Sequence, residues 1–217
     1  GAVNMLKRFV EGSNLDPSGE HLRWQYFLNK KLEEQLFADG FNKRIDPDPF
    51  KQIRRYSNKC DAGSDSVNRE IYLDMRFMMT DSVLMKVDRM SMASSLEIRV
   101  PLLDHVLVEY MASLPGDWKL KKLTTKYIFR AALEGLLPDK VVNRGKQGYS
   151  LPVKHLLRGD LNTYMVELLH DSTLIREQMN TDYIDTLIEE HCSMKQNHNH
   201  ILWALINVAI WHNRFFH

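Results

Sequence analysis

Two short stretches hold the residues whose types and spacing could do chemistry. The first runs from Val87 to His105, VDRMSMASSLEIRVPLLDH, where Glu97, Arg99 and Asp104 crowd around Pro101. If this segment is extended, Glu97 and Arg99 fall on one side of the chain, which suits either a local ion pair or an acid and a cation reaching together into a cleft. The second stretch is Arg144 to Pro152, RGKQGYSLP, in which Gly145 and Gly148 bracket Lys146. A lysine beside Arg144 on a glycine-flanked segment has what a phosphate-gripping element needs: a compact charge, exposed N–H groups and a backbone free to close. The string matches neither a P-loop nor a dinucleotide fingerprint, so the residues by themselves favour a solvated basic turn between two helices.

His191, Cys192, His198 and His200 cluster near the C-terminus, yet their spacing fits no standard zinc pattern and no metal site is expected there. Asn197 and Asn199, interleaved with those histidines, read as helix-capping chemistry. Met85, Met90 and Met92 read as adaptable core. Cys60 and Cys192 form no CxxC unit, which argues against a disulfide framework and fits a reducing compartment.

The elements that must position these residues are mostly helices. With 217 residues and 44% hydrophobic content, the chain can bury a core. Its 29 basic and 28 acidic side chains balance to a formal charge of +1, which favours neither a nucleic-acid nor a membrane partner. The apolar run from Ile201 is far shorter than the roughly 20 residues that span a bilayer, and the protein is expected in the cytoplasm. Asp16-Pro17 and Asp48-Pro49 read as helix starts, Leu28, Leu32 and Leu36 as one stripe, and the run from Lys59 to Ser66 as a loop. Two consecutive helices are predicted over 67–95, with Thr80 or Asp81 capping the second. More are predicted at 106–114, 125–136, 152–169 with a break at Gly159, around Tyr183 to Ile188, and over 201–216, the last buried on several sides. There is no βαβ alternation and no repeat, so the chain is predicted to be mainly α.

At the two chemical blocks the sequence resembles the synthetase domain of class II, glutamine-hydrolysing asparagine synthetases. IYLDMRFMMTDSVLMK resembles the helix pair before the family's charged motif, Thr125-Lys126 and Leu137-Pro138 fall where it has a lysine-bearing helix and a Leu-Pro turn, and LWALINVAIW resembles its last helix. The likeness is good over 71–217 and looser over 1–70, two segments expected to form one domain. Tyr149 stands where phenylalanine is usual, Leu156 or Leu157 where tryptophan is, and Ser94 where histidine is common.

The resemblance implies the helical C-terminal portion of an adenine-nucleotide alpha-hydrolase-like, ATP-pyrophosphatase synthetase domain. The parallel sheet and the SGGxDS-type phosphate loop of that domain do not occur in this sequence. It implies a carbon-nitrogen ligase that uses ATP with magnesium to adenylate aspartate and makes the amide with ammonia from glutamine. As a fragment the chain is expected to bind no cofactor and to be inactive without a glutaminase domain and a nucleotide-binding core as partners; it could also pair as a homodimer. By position, Lys146 resembles the family's lysine on the ATP phosphates. Glu97 is implied as a catalytic member of the same cleft, and Arg99 and Arg144 as substrate or phosphate contacts. Asp88, Arg89 and Asp104 are motif members whose task is left open between site and structure. Other readings are a paralogue acting on another acid, such as a β-lactam-synthetase-like enzyme or another amidotransferase, or a free-standing helical interaction module.

Overall fold

The structure is a computed structural model that describes residues 6, 10, 28–41, 43–44, 48, 50–60, 63–145, 148 and 151–216. The helix start read at Asp16-Pro17 lies outside them, as does Lys146. Helices dominate, and the strands among the described residues are a two-residue antiparallel pair, β1 (Leu120–Lys121) and β2 (Thr124–Thr125). The mainly α expectation therefore stands. Contacts gather the chain into two compact units, one comprising residues 1–15, 22–49 and 148–217, the other 16–21 and 50–147.

The first unit has a closed apolar core. Its described helices are α1 (Lys30–Leu36), α9 (Val153–Leu156), α10 (Asn162–Asp171), α11 (Thr173–Gln178), α12 (Thr181–Cys192) and α13 (Asn199–Phe215). Asn29, Ser172 and Asn180 cap α1, α11 and α12, each side-chain oxygen accepting a backbone N–H of the first turn. The stripe of α1 is as read: Leu36 is buried, and Leu28 and Leu32 pack partly buried against the same core. A short bridge ties the end of α1 to the α11–α12 link, with Ala38 donating to the Gln178 carbonyl at 3.0 Å and Asn180 to that of Leu36 at 2.8 Å. The break expected near Gly159 separates α9 from α10.

α13 supplies the centre of this core through Ile201, Leu202, Leu205, Ile206 and Ala209. Here the expectation of burial on several sides is corrected, because those positions form one face at helical spacing. Trp203, Ile210 and Trp211 lie off that stripe and are exposed. Apolar residues all round a helix do not imply neighbours all round it.

The second unit is built differently. Its described helices are α2 (Lys51–Ser57), α3 (Ser66–Asp74), α4 (Met85–Met92), α5 (His105–Ser113), α6 (Gly116–Lys119), α7 (Tyr127–Leu133) and α8 (Asp139–Val142). The expected pair of helices over 67–95 is one continuous run, because a π-helical stretch, Met75–Leu84, joins α3 to α4. Thr80 caps nothing. Its hydroxyl donates to the Arg76 carbonyl at 2.8 Å, which satisfies the side chain inside the helix and removes the stop that the sequence suggested. The helix expected over 125–136 is shortened to α7, because Thr124 and Thr125 pair with β1 and Lys126 turns through φ 57°.

A polar knot holds α3 to α6. The Asp65 carboxylate accepts from the Asn68 backbone at 2.9 Å and from the Gly116 backbone at 3.1 Å, while Asn68 donates to the Leu114 carbonyl at 3.0 Å and Lys119 donates to Asn68. Burial lowers the Lys119 pKa and nearby Asp65 opposes that shift. Gly116 is required by space, since a Cβ there would overlap the Asp65 carboxylate and lie 2.8 Å from the Val67 Cβ. Among the described residues of this unit few apolar side chains are buried, chiefly Ile53 and Leu73, whereas Leu96, Ile98, Val100, Leu102 and Val106 are exposed.

The two faces of α13 give a direct test. Leu202→Ala should destabilise the protein by about 2–5 kcal/mol, the usual cost of a buried cavity, and Trp203→Ala by much less. Urea unfolding of both variants checks the assignment, and equal losses would show that α13 is buried all round.

Candidate functional site

The charged block is positioned by a helix that stops abruptly. α4 ends where Ser95 takes a left-handed conformation, φ 55°. Leu96 then donates back to the Ser91 carbonyl at 3.0 Å and Ser95 to that of Met92 at 2.9 Å. These are the two closing bonds of a Schellman turn, formed here on serine rather than the usual glycine. The chain leaves in residues 96–100, which lack regular structure, and Pro101–Leu103 form one turn of 3-10 helix.

On that stretch Glu97 and Arg99 meet each other, Oε1 to a guanidinium nitrogen at 2.5 Å, with side chains 68% and 86% exposed. Of the two arrangements the spacing allowed, the local ion pair is the one formed. An exposed pair of this kind adds only about 0.2–1 kcal/mol, so its charge remains available to an incoming group.

Asp104 has a definite local task. Its Oδ1 accepts from the Val106 backbone at 3.0 Å and the Leu107 backbone at 3.3 Å, which caps α5. Asp88 and Arg89 are exposed on α4, where the Asp88 carbonyl accepts from the nearly buried Ser91 hydroxyl at 3.0 Å. Arg144 is exposed just past α8. Gly145 and Gly148 would have open space around an added Cβ and neither adopts a left-handed φ, so their described conformations do not demand glycine. Glu97, Arg99, Asp88, Arg89, Asp104 and Arg144 all belong to the second unit.

The histidine-rich stretch, in the first unit, is a hydrogen-bonded junction. His191 is fully buried and bonds backbone groups through both ring nitrogens, His198 pairs with Glu190 at 2.8 Å, and the Cys192 sulfur accepts from Asn162 at 3.1 Å. The capping read at Asn197 and Asn199 is corrected: α13 begins after His198 without a side-chain cap, and Asn197 instead accepts from the Asn199 backbone at 3.3 Å in the turn before the helix. Among the described residues, no three or more His, Cys, Asp or Glu side chains gather as a metal site. Sequence reasoning missed an open polar cavity of about 490 Å³ beside this junction, whose lining includes Gln35, Tyr183, Glu190, Asn197 and His198. Its walls come from α12, the loop after it and the start of α13 on one side and from α1, much earlier in the chain, on the other, so no local pattern could have marked it.

A helical chain with its charged motif on a solvent-facing turn is the class that fold and site define. A sequence profile of the asparagine synthase family matches residues 8–213. The chain therefore belongs to the asparagine synthase family. It is 32% identical over 194 residues to asparagine synthetase [glutamine-hydrolyzing] 1 of Bacillus subtilis, a match covering 88% of this chain and 30% of that protein. Asparagine synthetase [glutamine-hydrolyzing] 3 of the same organism is 46% identical over 134 residues, 58% of this chain and 21% of the relative. The asparagine synthetase [glutamine-hydrolyzing] of Gallus gallus is 37% identical over 127 residues, 57% of this chain and 22% of the relative. The chain thus spans less than a third of the relatives it matches. No solved structure matches it. No described helix is long and apolar enough to cross a membrane.

The cap at Asp104 separates structure from chemistry. Asp104→Ala should cost about 1 kcal/mol of stability, and Asp104→Asn, which keeps an acceptor at the same place, should cost far less. Thermal melts of the two variants measure this; equal losses would mean that the charge of Asp104, rather than its acceptor, is what matters.

Proposed function

We propose that the chain is the helical C-terminal part of the synthetase domain of a glutamine-dependent asparagine synthetase, a cytoplasmic carbon-nitrogen ligase. In this reaction aspartate is adenylated by ATP with magnesium, and ammonia released from glutamine displaces the adenylate to form the amide. The profile match over residues 8–213 carries the reading. It is supported by the family's charged motif standing on an exposed turn, and by the apolar side chains left in water beside that motif.

Leu96, Ile98, Val100, Leu102 and Val106 are exposed around Glu97 and Arg99. Apolar surface left in water is what an unmade interface looks like. In this reading a nucleotide-binding core and a glutaminase domain, supplied by the rest of the protein, cover that surface and complete the cleft. Glu97 and Arg99 then change partners, from each other to the reacting groups, and Arg144 adds positive charge near the phosphates.

Lys146 has the sharpest role. Adenylation expels pyrophosphate, so negative charge grows on the bridging oxygen as the bond breaks. A lysine held against that oxygen stabilises the transition state more than the ground state. Asp104, Asp88 and Arg89 are assigned to holding the turn.

In a full-length enzyme Lys146→Met should lower asparagine formation by about 10² to 10³-fold, roughly 3–4 kcal/mol, and leave glutamine hydrolysis nearly intact. Coupled assays of asparagine and of glutamate made without aspartate separate the two activities. The chain alone should give no aspartate-dependent exchange of pyrophosphate into ATP. A Lys146→Met enzyme with near-normal asparagine output removes the role of the lysine, and exchange by the chain alone removes the need for a nucleotide-binding partner.

A further inference from the structure

His191 is the one histidine among the described residues with no solvent exposure, and both its ring nitrogens are committed. Nε2 lies 3.2 Å from the Lys154 carbonyl oxygen on α9, and Nδ1 lies 3.1 Å from the backbone nitrogen of His198, just before α13. A carbonyl can only accept and a backbone N–H can only donate. The ring is therefore neutral, with its proton on Nε2 and a lone pair on Nδ1.

A second proton has one place to go, Nδ1, and there it would face the His198 N–H, donor against donor. The charged and titratable side chains that act on the ring all oppose that proton: Lys154 and Arg158 from α9 and the turn after it, and His198 from the loop before α13. Arg158 is fixed in place, donating to the His191 carbonyl at 2.7 Å. Glu190, the nearest acid on α12, is already engaged by Lys195 at 2.6 Å and His198 at 2.8 Å. Burial is the main cause that lowers the His191 pKa below its ordinary 6.5; the Lys154 carbonyl opposes it, and the Arg158, His198 and Lys154 side chains add to the lowering.

The bond to His198 closes the loop 193–198. That loop turns through Met194 at φ 63°, returns as Gln196 donates to the Glu190 carbonyl at 3.1 Å, and contributes Gln196, Asn197 and His198 to the wall of the polar cavity. We propose that His191 is a pH-sensitive latch: neutral, it holds the cavity wall by accepting the His198 N–H, and protonation breaks that bond and loosens the loop. The loop is not set free, because Lys195 and then His198 hold the Glu190 carboxyl below the ordinary carboxylate range and keep it charged in mild acid. What changes is the register of the wall and of the start of α13.

The sign follows from linkage. A histidine whose folded pKa lies below its unfolded value takes its proton first in the open state, so the latch is fully closed above about pH 6.5 and weakens as pH falls below it.

Amide hydrogen exchange of the whole chain, expressed as protection factors so that intrinsic pH effects divide out, reads the latch at the His198 amide. Between about pH 7.5 and pH 5 that protection should fall several-fold, while amides of Met165 to Leu169 in the core keep theirs. Two variants without a titrating group sharpen the test. His191→Asn places an acceptor where Nδ1 stood and should keep the His198 amide protected at both pH values. His191→Gln places its amide nearer Nε2 and should leave that amide unprotected at both. The latch is overturned if wild-type protection at His198 does not change with pH, if the loss is shared equally by Met165 to Leu169, or if His191→Asn shows the wild-type pH dependence. The wild-type measurement stands if either variant fails to fold, and none of these readouts depends on synthetase activity.

Discussion

The first unit depends on the apolar stripe of α13. Leu202, Leu205, Ile206 and Ala209 bring α9, α10, α11 and α12 onto one helix, and the removal of that surface from water is the main favourable term holding the unit together. Polar groups near the stripe must then be satisfied internally or not be buried at all. His191 meets that requirement by bonding two backbone segments at once, and its neutrality is a consequence of the packing rather than of its own chemistry. The same burial that orders α13 thus creates a titratable weak point at its start.

The second unit obeys the opposite economy. Few of its apolar side chains are buried, and its most specific described contacts are polar: the Asp65, Asn68, Gly116 and Lys119 knot, the Asp104 cap, and the Schellman turn at Ser95. Hydrogen bonds of this kind fix direction well but contribute only about 1 kcal/mol each, so they define the shape of the charged turn without closing a core beneath it. The function proposed above would give that arrangement a reason: a motif meant to meet a substrate and further protein would be presented ready-shaped, with Glu97 and Arg99 paired to each other.

Much of this was legible in the sequence because it is local. Helix spacing gave α1 its Leu32 and Leu36 face, α12 its Tyr183 to Ile188 pattern and α13 its length, and the string from Val87 to His105 together with RGKQGYSLP gave the family. The spacing of Glu97 and Arg99 allowed an ion pair as one of two arrangements, and the structure forms it. These features depend on neighbours a few residues away, which periodicity and motif order capture.

What only the tertiary structure decided is what each surface meets. The sequence cannot tell that Trp203 faces water while Leu202 does not, since both are apolar and only packing partners distinguish them. It suggested a helix stop at Thr80, which the structure replaces with a bond from the hydroxyl to the Arg76 carbonyl inside a continuous helix. The glycines at 145 and 148 suggested special backbone angles that the fold does not use. Above all, His191 read as one of several histidines in a loose cluster, because its two partners, Lys154 and His198, lie on segments that meet only once the apolar stripe of α13 has drawn them together. Residue types and local order belong to the sequence, whereas burial, and with it the protonation state of a buried group, is a property of the assembled core.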